Sequence, residues 1–361
     1  MSILSTIRAE LPLILIAATL AVVQSVGVPA SGPAGAAVFL WLLIVMIWAA
    51  GGVLHHAESV AERLGEPLGT LILTLAVVGI EVALIASVML SGDGSPTLAR
   101  DTMFAVVMIV LNFLTGLSLL LGALRFGEQN YNLAGARSFL SVLLPLAVFS
   151  LMLPAYTTSN WTPSFSDFQA LFFSIITFAM YGVFLLMQTV RHRGYFTEPQ
   201  EPQVPDHVHA MHATWVHAVL MIATLLPIVL LSKTLTKYVN SGLDLLGLPA
   251  ALGGVLIAMI VLVPEGASAI RAARHNRLQR AINLCLGAAL STIGLTVPVV
   301  LGIGAWMGHD VILGLTPVNQ IMLALSLITA VLTFGTQRTN VLHGAIHIVL
   351  FLAYLALIFA P

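Results

Sequence analysis

Long apolar runs constrain this 361-residue chain more than any other feature. Eleven fall at 9–29, 35–54, 68–91, 102–124, 138–155, 167–190, 213–232, 249–271, 281–305, 316–335 and 341–360. About 20 apolar residues in a helix cross the hydrocarbon core of a bilayer. Backbone groups in hydrocarbon must be bonded within the protein, which leaves helices or closed barrels. The runs lack the period-2 alternation of barrel strands, so helices are expected. Composition agrees, with 59% hydrophobic and only 8% charged residues, against roughly a quarter charged in soluble domains. The expected fold is an all-α polytopic membrane protein with about 11 transmembrane helices. The first run has no clear small-residue cleavage site and is read as a retained span.

Basic residues set the expected orientation. With the N-terminus inside, eleven of the fourteen Lys and Arg face the cytoplasm, and Arg100, Lys233 and Lys237 face outward. That places the N-terminus in the cytoplasm and the C-terminus outside. The longest polar break, 191–212, carries Pro and charge and reads as a cytoplasmic linker between two halves. The lone Cys285 excludes an intrachain disulfide. No basic cluster suits nucleic acid. There is no P-loop for a nucleotide and no hydrolase motif, and no cofactor is expected.

The halves echo one another. "LGTLILTLAVVGIE" (68–81) aligns without a gap on "LGGVLIAMIVLVPE" (252–265), at an offset of 184 residues. "FAMY" (178–181) and "FLAY" (351–354) each lie in the last span of a half. Glu81 and Glu265 close the first pair, in spans three and eight. Five spans apart means opposite directions through the bilayer. The expected organisation is an extra helix in 1–34, an inverted five-helix repeat in 35–190, the linker, and a second repeat in 213–361. Inverted repeats place a transport site near the midplane where they meet.

Of fifteen acidic residues, only Glu81 and Glu265 lie deep in spans. A charge at the centre of a span costs about 2.5–3.5 kcal/mol on insertion scales. The plain reading is a protonated glutamate bonded to a neighbouring helix. The functional reading is a cation/proton site. Two desolvated carboxylates raise each other's pKa and hold protons, and a bound cation displaces them. Such competition, opened alternately to each side, suffices for antiport.

A hard cation needs further oxygens. Asn112 and Thr115 in span four, with Ser291 and Thr292 in span nine, are the candidate supporting ligands; the alternative for each hydroxyl is a bond to its own helix. Pro264, just before Glu265, suggests a local break exposing carbonyls, and Gly79 a weaker one before Glu81. His343 and His347 are candidates for proton relay or pH sensing. Glu58, Glu62 and Glu66 read as a solvated helical face or a cation funnel. His207, His209 and His212 form a loose metal-binding tract. The basic run 271–280 anchors the inside and can touch anionic lipid.

The segments "RLGEPLGTLILTLAVVGIEVALI", "LVPEGASAIRAARHNRLQRAINLCLGAALSTIGLTVPVV" and "GTQRTNVLHGAIHIVLF" resemble the calcium/cation antiporter superfamily and, within it, its ChaA-type branch of bacterial cation/proton antiporters. The resemblance implies a bacterial inner-membrane antiporter exporting Na⁺, K⁺ or Ca²⁺ for entering H⁺. It implies that Glu81 and Glu265 hold the places of the family's central acids. The chain departs from the wider pattern. Val77 and Val78, and Val261 and Leu262, stand where Gly-Asn precedes each glutamate, and His343 stands where calcium/proton exchangers commonly have glutamate. The poorer ligand set fits broad monovalent selectivity and leaves Ca²⁺ in the set. A Na⁺-driven calcium exchanger is the rival reading, and a channel a more distant one.

Overall fold

Helix-capping residues and glycines punctuate the apolar runs in the computed structural model. It describes residues 3–27, 32–64, 75, 76, 78–83, 85, 86, 89, 97–198, 213–249, 251–308 and 311–360. Eleven helices follow in chain order: α1 Ile3–Val26, α2 Gly32–Leu64, and α3, described only at helical positions between 75 and 89. Next come α4 Leu98–Phe126, α5 Leu133–Ala155, α6 Asp167–Arg191, α7 Thr214–Leu246 and α8 Ala251–Arg274. The last are α9 Leu278–Met307, α10 Pro317–Thr333 and α11 Val341–Phe359. Two short strands, β1 Gln129–Asn130 and β2 Arg338–Thr339, pair antiparallel.

Two helices outrun their apolar cores. α2 continues to Leu64, so Glu58 and Glu62 lie on a helix. Glu66 lies outside the described residues, as do His207, His209 and His212. α7 runs to Leu246 because no breaker intervenes. Gly247 then takes a left-handed φ of 63°, with Leu248 N–H on Leu243 C=O at 2.8 Å, closing the helix. The break expected at Pro264 is not there: α8 passes through it as a regular helix. Proline lacks one N–H, so the disruption is confined to the carbonyl four residues back, that of Ile260. Helical residues also continue through Gly79 to Glu81.

The chain forms two compact units, 1–94 with 204–264 and 95–203 with 265–361. In the first, α2 and α7 pack along each other with α1 beside them. Leu42, Met46, Ala49, Ile228, Leu231 and Ile80 share its core.

The second unit displays the repeat. The 184-residue offset carries the N-cap Asn132 of α5 onto the N-cap Thr316 of α10. It also carries the π-helical segment Ile109–Leu114 of α4 onto 293–298, overlapping the π-helical segment Thr292–Thr296 of α9. Ser166 with Gln169, and Asn340 with His343, form capping boxes at the starts of α6 and α11. α6 packs on α9, and α11 packs on α4. The tyrosines of the "FAMY" and "FLAY" echo mark these contacts: Tyr181 lies against Gly294, and Tyr354 meets Phe104 edge to face at 5.3 Å. Each half's last helix therefore leans on the π-segment helix of the other half. The fold is one extra helix followed by two inverted five-helix repeats, α2–α6 and α7–α11.

Close helix approach depends on small residues. A Cβ on Gly344 would stand 2.5 Å from the Leu120 backbone nitrogen and 2.8 Å from the Gly116 carbonyl oxygen. Gly344→Val is therefore expected to force α11 off α4 and destabilise by about 1–3 kcal/mol. Thermal unfolding in detergent reads this, with Gly182→Ala as the control, since nothing lies within 4 Å of that position. Equal melting of the two variants would show that this contact does not matter.

Candidate functional site

Polar side chains buried among apolar helices need partners. In the second unit they find one another around the π segment of α4. Such a segment wraps i→i+5, shifts the helix register locally and often marks a functional position. Asn112 lies inside it and is 0% exposed. Its Nδ2 donates to Ser326 Oγ of α10 at 2.8 Å. Its Oδ1 faces His347 Nδ1 of α11 at 3.2 Å. His347 Nε2 meets Thr333 Oγ1 of α10 at 3.1 Å, and Ser326 Oγ donates to the Met322 carbonyl at 2.7 Å.

One assignment of protons satisfies every link with a neutral imidazole. Thr333 O–H donates to His347 Nε2, His347 Nδ1–H to Asn112 Oδ1, Asn112 Nδ2–H to Ser326, and Ser326 O–H to the Met322 carbonyl. The amide of Asn112 is thus engaged at both ends. It presents to a cation only the spare lone pair of Oδ1, or the whole oxygen if the link to His347 opens.

Glu265 stands half-buried on α8. Beside it, a Cβ on Gly266 would lie 2.7 Å from Leu114 Cδ2, so this turn of α8 rides against the π segment of α4. The Cys285 thiol of α9 lines one small cavity with Thr115 and lies within electrostatic reach of Glu265. Leu114, Thr115 and Cys285 therefore frame the Glu265 segment. The hydroxyls named from sequence are directed differently. Thr115 Oγ1 donates to the Val110 carbonyl of its own π segment at 2.8 Å, and Ser291 Oγ donates to the Ala288 carbonyl at 3.1 Å. Each retains an accepting oxygen. Thr292 opens the π segment of α9 and is buried.

In the first unit Glu81 is 6% exposed on the helical stretch of α3. Ala76 and Ile80 beside it join the α2–α7 core. Among the described residues no three His, Cys, Asp or Glu side chains gather as a metal cage. Carboxylates would have to be completed by hydroxyl, amide or backbone oxygens, the donor set of a hard cation.

The two histidines of α11 separate in role. His347 is fully buried in the network above. His343 is half-buried and caps its own helix: its Nδ1 accepts from Asn340 N–H at 3.4 Å while Asn340 Oδ1 accepts from His343 N–H at 3.3 Å. Sequence reasoning did not identify Ser326 or Thr333. A buried hydroxyl in span ten was the available signal, but its partner lies 214 residues away.

A family model described as sodium/calcium exchanger protein matches residues 34–190 and 216–360. A Sinorhizobium fredii protein described only as an ionic transporter is 45% identical over 309 residues, covering 85% of this chain and 84% of its own. The sodium-potassium/proton antiporter ChaA of Escherichia coli is 41% identical over 334 residues, covering 91% and 90%. Among solved structures, the Ca²⁺/H⁺ antiporter YfkE shares the fold with a TM-score of 0.72 at 19% identity, covering 97% of this chain and 99% of its own.

Proposed function

The chain belongs to the sodium/calcium exchanger protein family, and from that premise we propose that it is a cation/proton antiporter of a bacterial inner membrane. It exports Na⁺, K⁺ or Ca²⁺ from the cytoplasm and admits H⁺. The observation that carries the reading is a glutamate at equivalent positions of two inverted repeats, each on a helix through apolar surroundings, joined to 41% identity with a sodium-potassium/proton antiporter.

The mechanism follows from competition. Desolvation favours the protonated carboxyls of Glu81 and Glu265. A cation arriving from the cytoplasm supplies the countercharge and lowers their proton affinity. The protons leave, and exposure to the other side reverses the exchange. Accepting oxygens of Thr115, Ser291 and Thr292, and the spare lone pair of Asn112, are the supporting ligands. The N-terminus lies in the cytoplasm and the C-terminus outside, by the basic-residue bias. No resident cofactor or nucleotide takes part; the transported ions are the substrates.

The test uses everted membrane vesicles with a respiration-driven, inside-acid gradient reported by an acridine dye. Na⁺, K⁺ and Ca²⁺ are added separately between pH 7 and pH 9. Recovery of fluorescence with at least one cation is expected, and identifies the substrate. If none dissipates the gradient while Na⁺ drives Ca²⁺ uptake, the protein is a Na⁺-driven calcium exchanger instead.

A further inference from the structure

The first unit holds a second cluster of titratable side chains, well removed in sequence from both glutamates. It lies where α1 begins, the long α2 nears its end and α7 begins. His56 Nδ1 stands 3.0 Å from His217 Nδ1. On the other side of the same ring, His56 Nε2 stands 3.4 Å from Glu10 Oε2. Both imidazoles are 2% exposed, and the Glu10 side chain is 15% exposed. Three helices thus join through one buried imidazole.

In sequence, α1 carries Arg8 and Glu10, and α2 carries His55, Glu58, Glu62 and Arg63 within eight positions of His56. The His55 ring lies 5.6 Å from that of His56. Between Thr214 and Lys233, α7 has no titratable side chain other than His217.

Counting protons shows what this contact does. Two ring nitrogens at 3.0 Å share one proton, one donating and one accepting. With both rings neutral, His56 Nε2 faces Glu10 Oε2 across 3.4 Å and His217 Nδ1–H donates to His56 Nδ1. One added proton is tolerated: His56 becomes an imidazolium that faces the Glu10 carboxylate at 3.4 Å and donates to His217 Nδ1. A second added proton puts N–H on both facing nitrogens. Two donors and two cations then oppose each other in a buried space, and the contact has to open.

We propose that Glu10, His56 and His217 form a proton-binding site, distinct from Glu81 and Glu265, that reads the pH on the cytoplasmic side and slows exchange when it is filled. The path to the transport helices runs through packing. His56 and His217 tie α2 to α7, and the core between those helices includes Ala76 and Ile80 of α3, next to Glu81, and Ile260 and Val261 of α8. Loosening the α2–α7 contact at one end disturbs the seat of the Glu81 helix. The purpose fits the chemistry: each exchange cycle admits protons, and a site that fills as the cytoplasm acidifies limits further entry. This regulatory role rests on the proton-coupled reading above; the site itself does not.

The experiment compares wild type with His56→Gln and His217→Asn in two measurements. In proteoliposomes, the initial exchange rate is followed while the pH on one face is lowered from 8 to 5.5 and the other is held. Wild type is expected to slow about tenfold or more below pH 6.5 on the face carrying the start of α1. The variants are expected to stay within about twofold of their pH 8 rate. Variant profiles that superimpose on wild type overturn the proposal. Thermal unfolding of the purified proteins is recorded across the same range, and needs no transport. Wild type is expected to lose stability on acidification more steeply than either variant; coincident curves overturn the proposal even if no exchange is found. Absence of exchange with divergent curves would count against the antiport reading and leave the proton site standing.

Discussion

Glu265→Gln and Glu81→Gln are each expected to abolish cation-dependent proton exchange while leaving the protein in the membrane at its normal level. Glutamine keeps the volume of the side chain and its capacity for hydrogen bonds. It cannot release a proton or balance a cation. Removing one partner of a buried charge pair costs roughly 3–5 kcal/mol, a factor of about 10²–10⁴ in affinity. The exchange cycle also loses its proton carrier, so turnover falls to background. Glu265→Asp retains a titratable carboxylate and should retain part of the exchange. Stability should move the other way: an uncharged amide is easier to hold in an apolar helix than a carboxylate. Dye recovery in everted vesicles at matched expression checks the first effect, and thermal unfolding the second. Wild-type exchange in either glutamine variant would remove that glutamate from the mechanism.

Asn112→Ala is expected to have the next largest effect, through its neighbours. The amide satisfies His347 Nδ1 and Ser326 Oγ at once. Its loss leaves a buried ring N–H with no acceptor, at about 1–3 kcal/mol, and opens a cavity besides. The π segment of α4 then loses its tie to both α10 and α11. A lower melting temperature and a fall of about tenfold or more in exchange rate are expected. Asn112→Asp restores an acceptor for His347 but removes the donor to Ser326, so it should recover stability only in part. If Asn112→Ala melts and transports as wild type does, the network has neither role.

Much of the architecture is written in the residue pattern, because a bilayer admits few solutions. The helix at 102–124 had to be a helix once its apolar length was known, and it spans Leu98–Phe126. Opposite orientation of the repeats followed from the offset of five spans between Glu81 and Glu265. The reach of α7 to Leu246 was not legible from hydropathy, since Lys233 and Lys237 end the apolar window without ending the helix. Long lysine stems let a helix continue past the hydrocarbon. Pro264 misled in the other direction: a proline flags a missing hydrogen bond, and the helix carries it as a local defect.

The candidate residues could be named from the sequence, but their contacts could not. Glu81, Glu265, Asn112 and His347 stand out because each is polar where polarity is costly. Nothing in their spacing pairs Asn112 with Ser326 and His347. That pairing is set by the leaning of α11 on α4, which depends on Gly116 and Gly344. The π segments are likewise silent in sequence, because i→i+5 wrapping leaves no composition signal. His343, one turn from His347, caps its helix beside Asn340, a contact its spacing from His347 does not show. His56 and His217 were hidden for a related reason: polar residues near span ends are common, and only the packing of α2 on α7 makes them neighbours.

The central claim is that cation and proton compete for the carboxylates of Glu81 and Glu265. Proton release on cation addition tests it without a membrane. Purified protein in detergent and weak buffer between pH 7 and pH 8 is titrated with Na⁺, K⁺ and Ca²⁺ salts while the pH is followed. Binding of a cation to a protonated site releases protons. Saturable acidification in wild type, absent from the Glu81→Gln/Glu265→Gln double variant, is the result the competition account predicts. Cation binding seen by calorimetry with no proton release, or release that persists in the double variant, would contradict it.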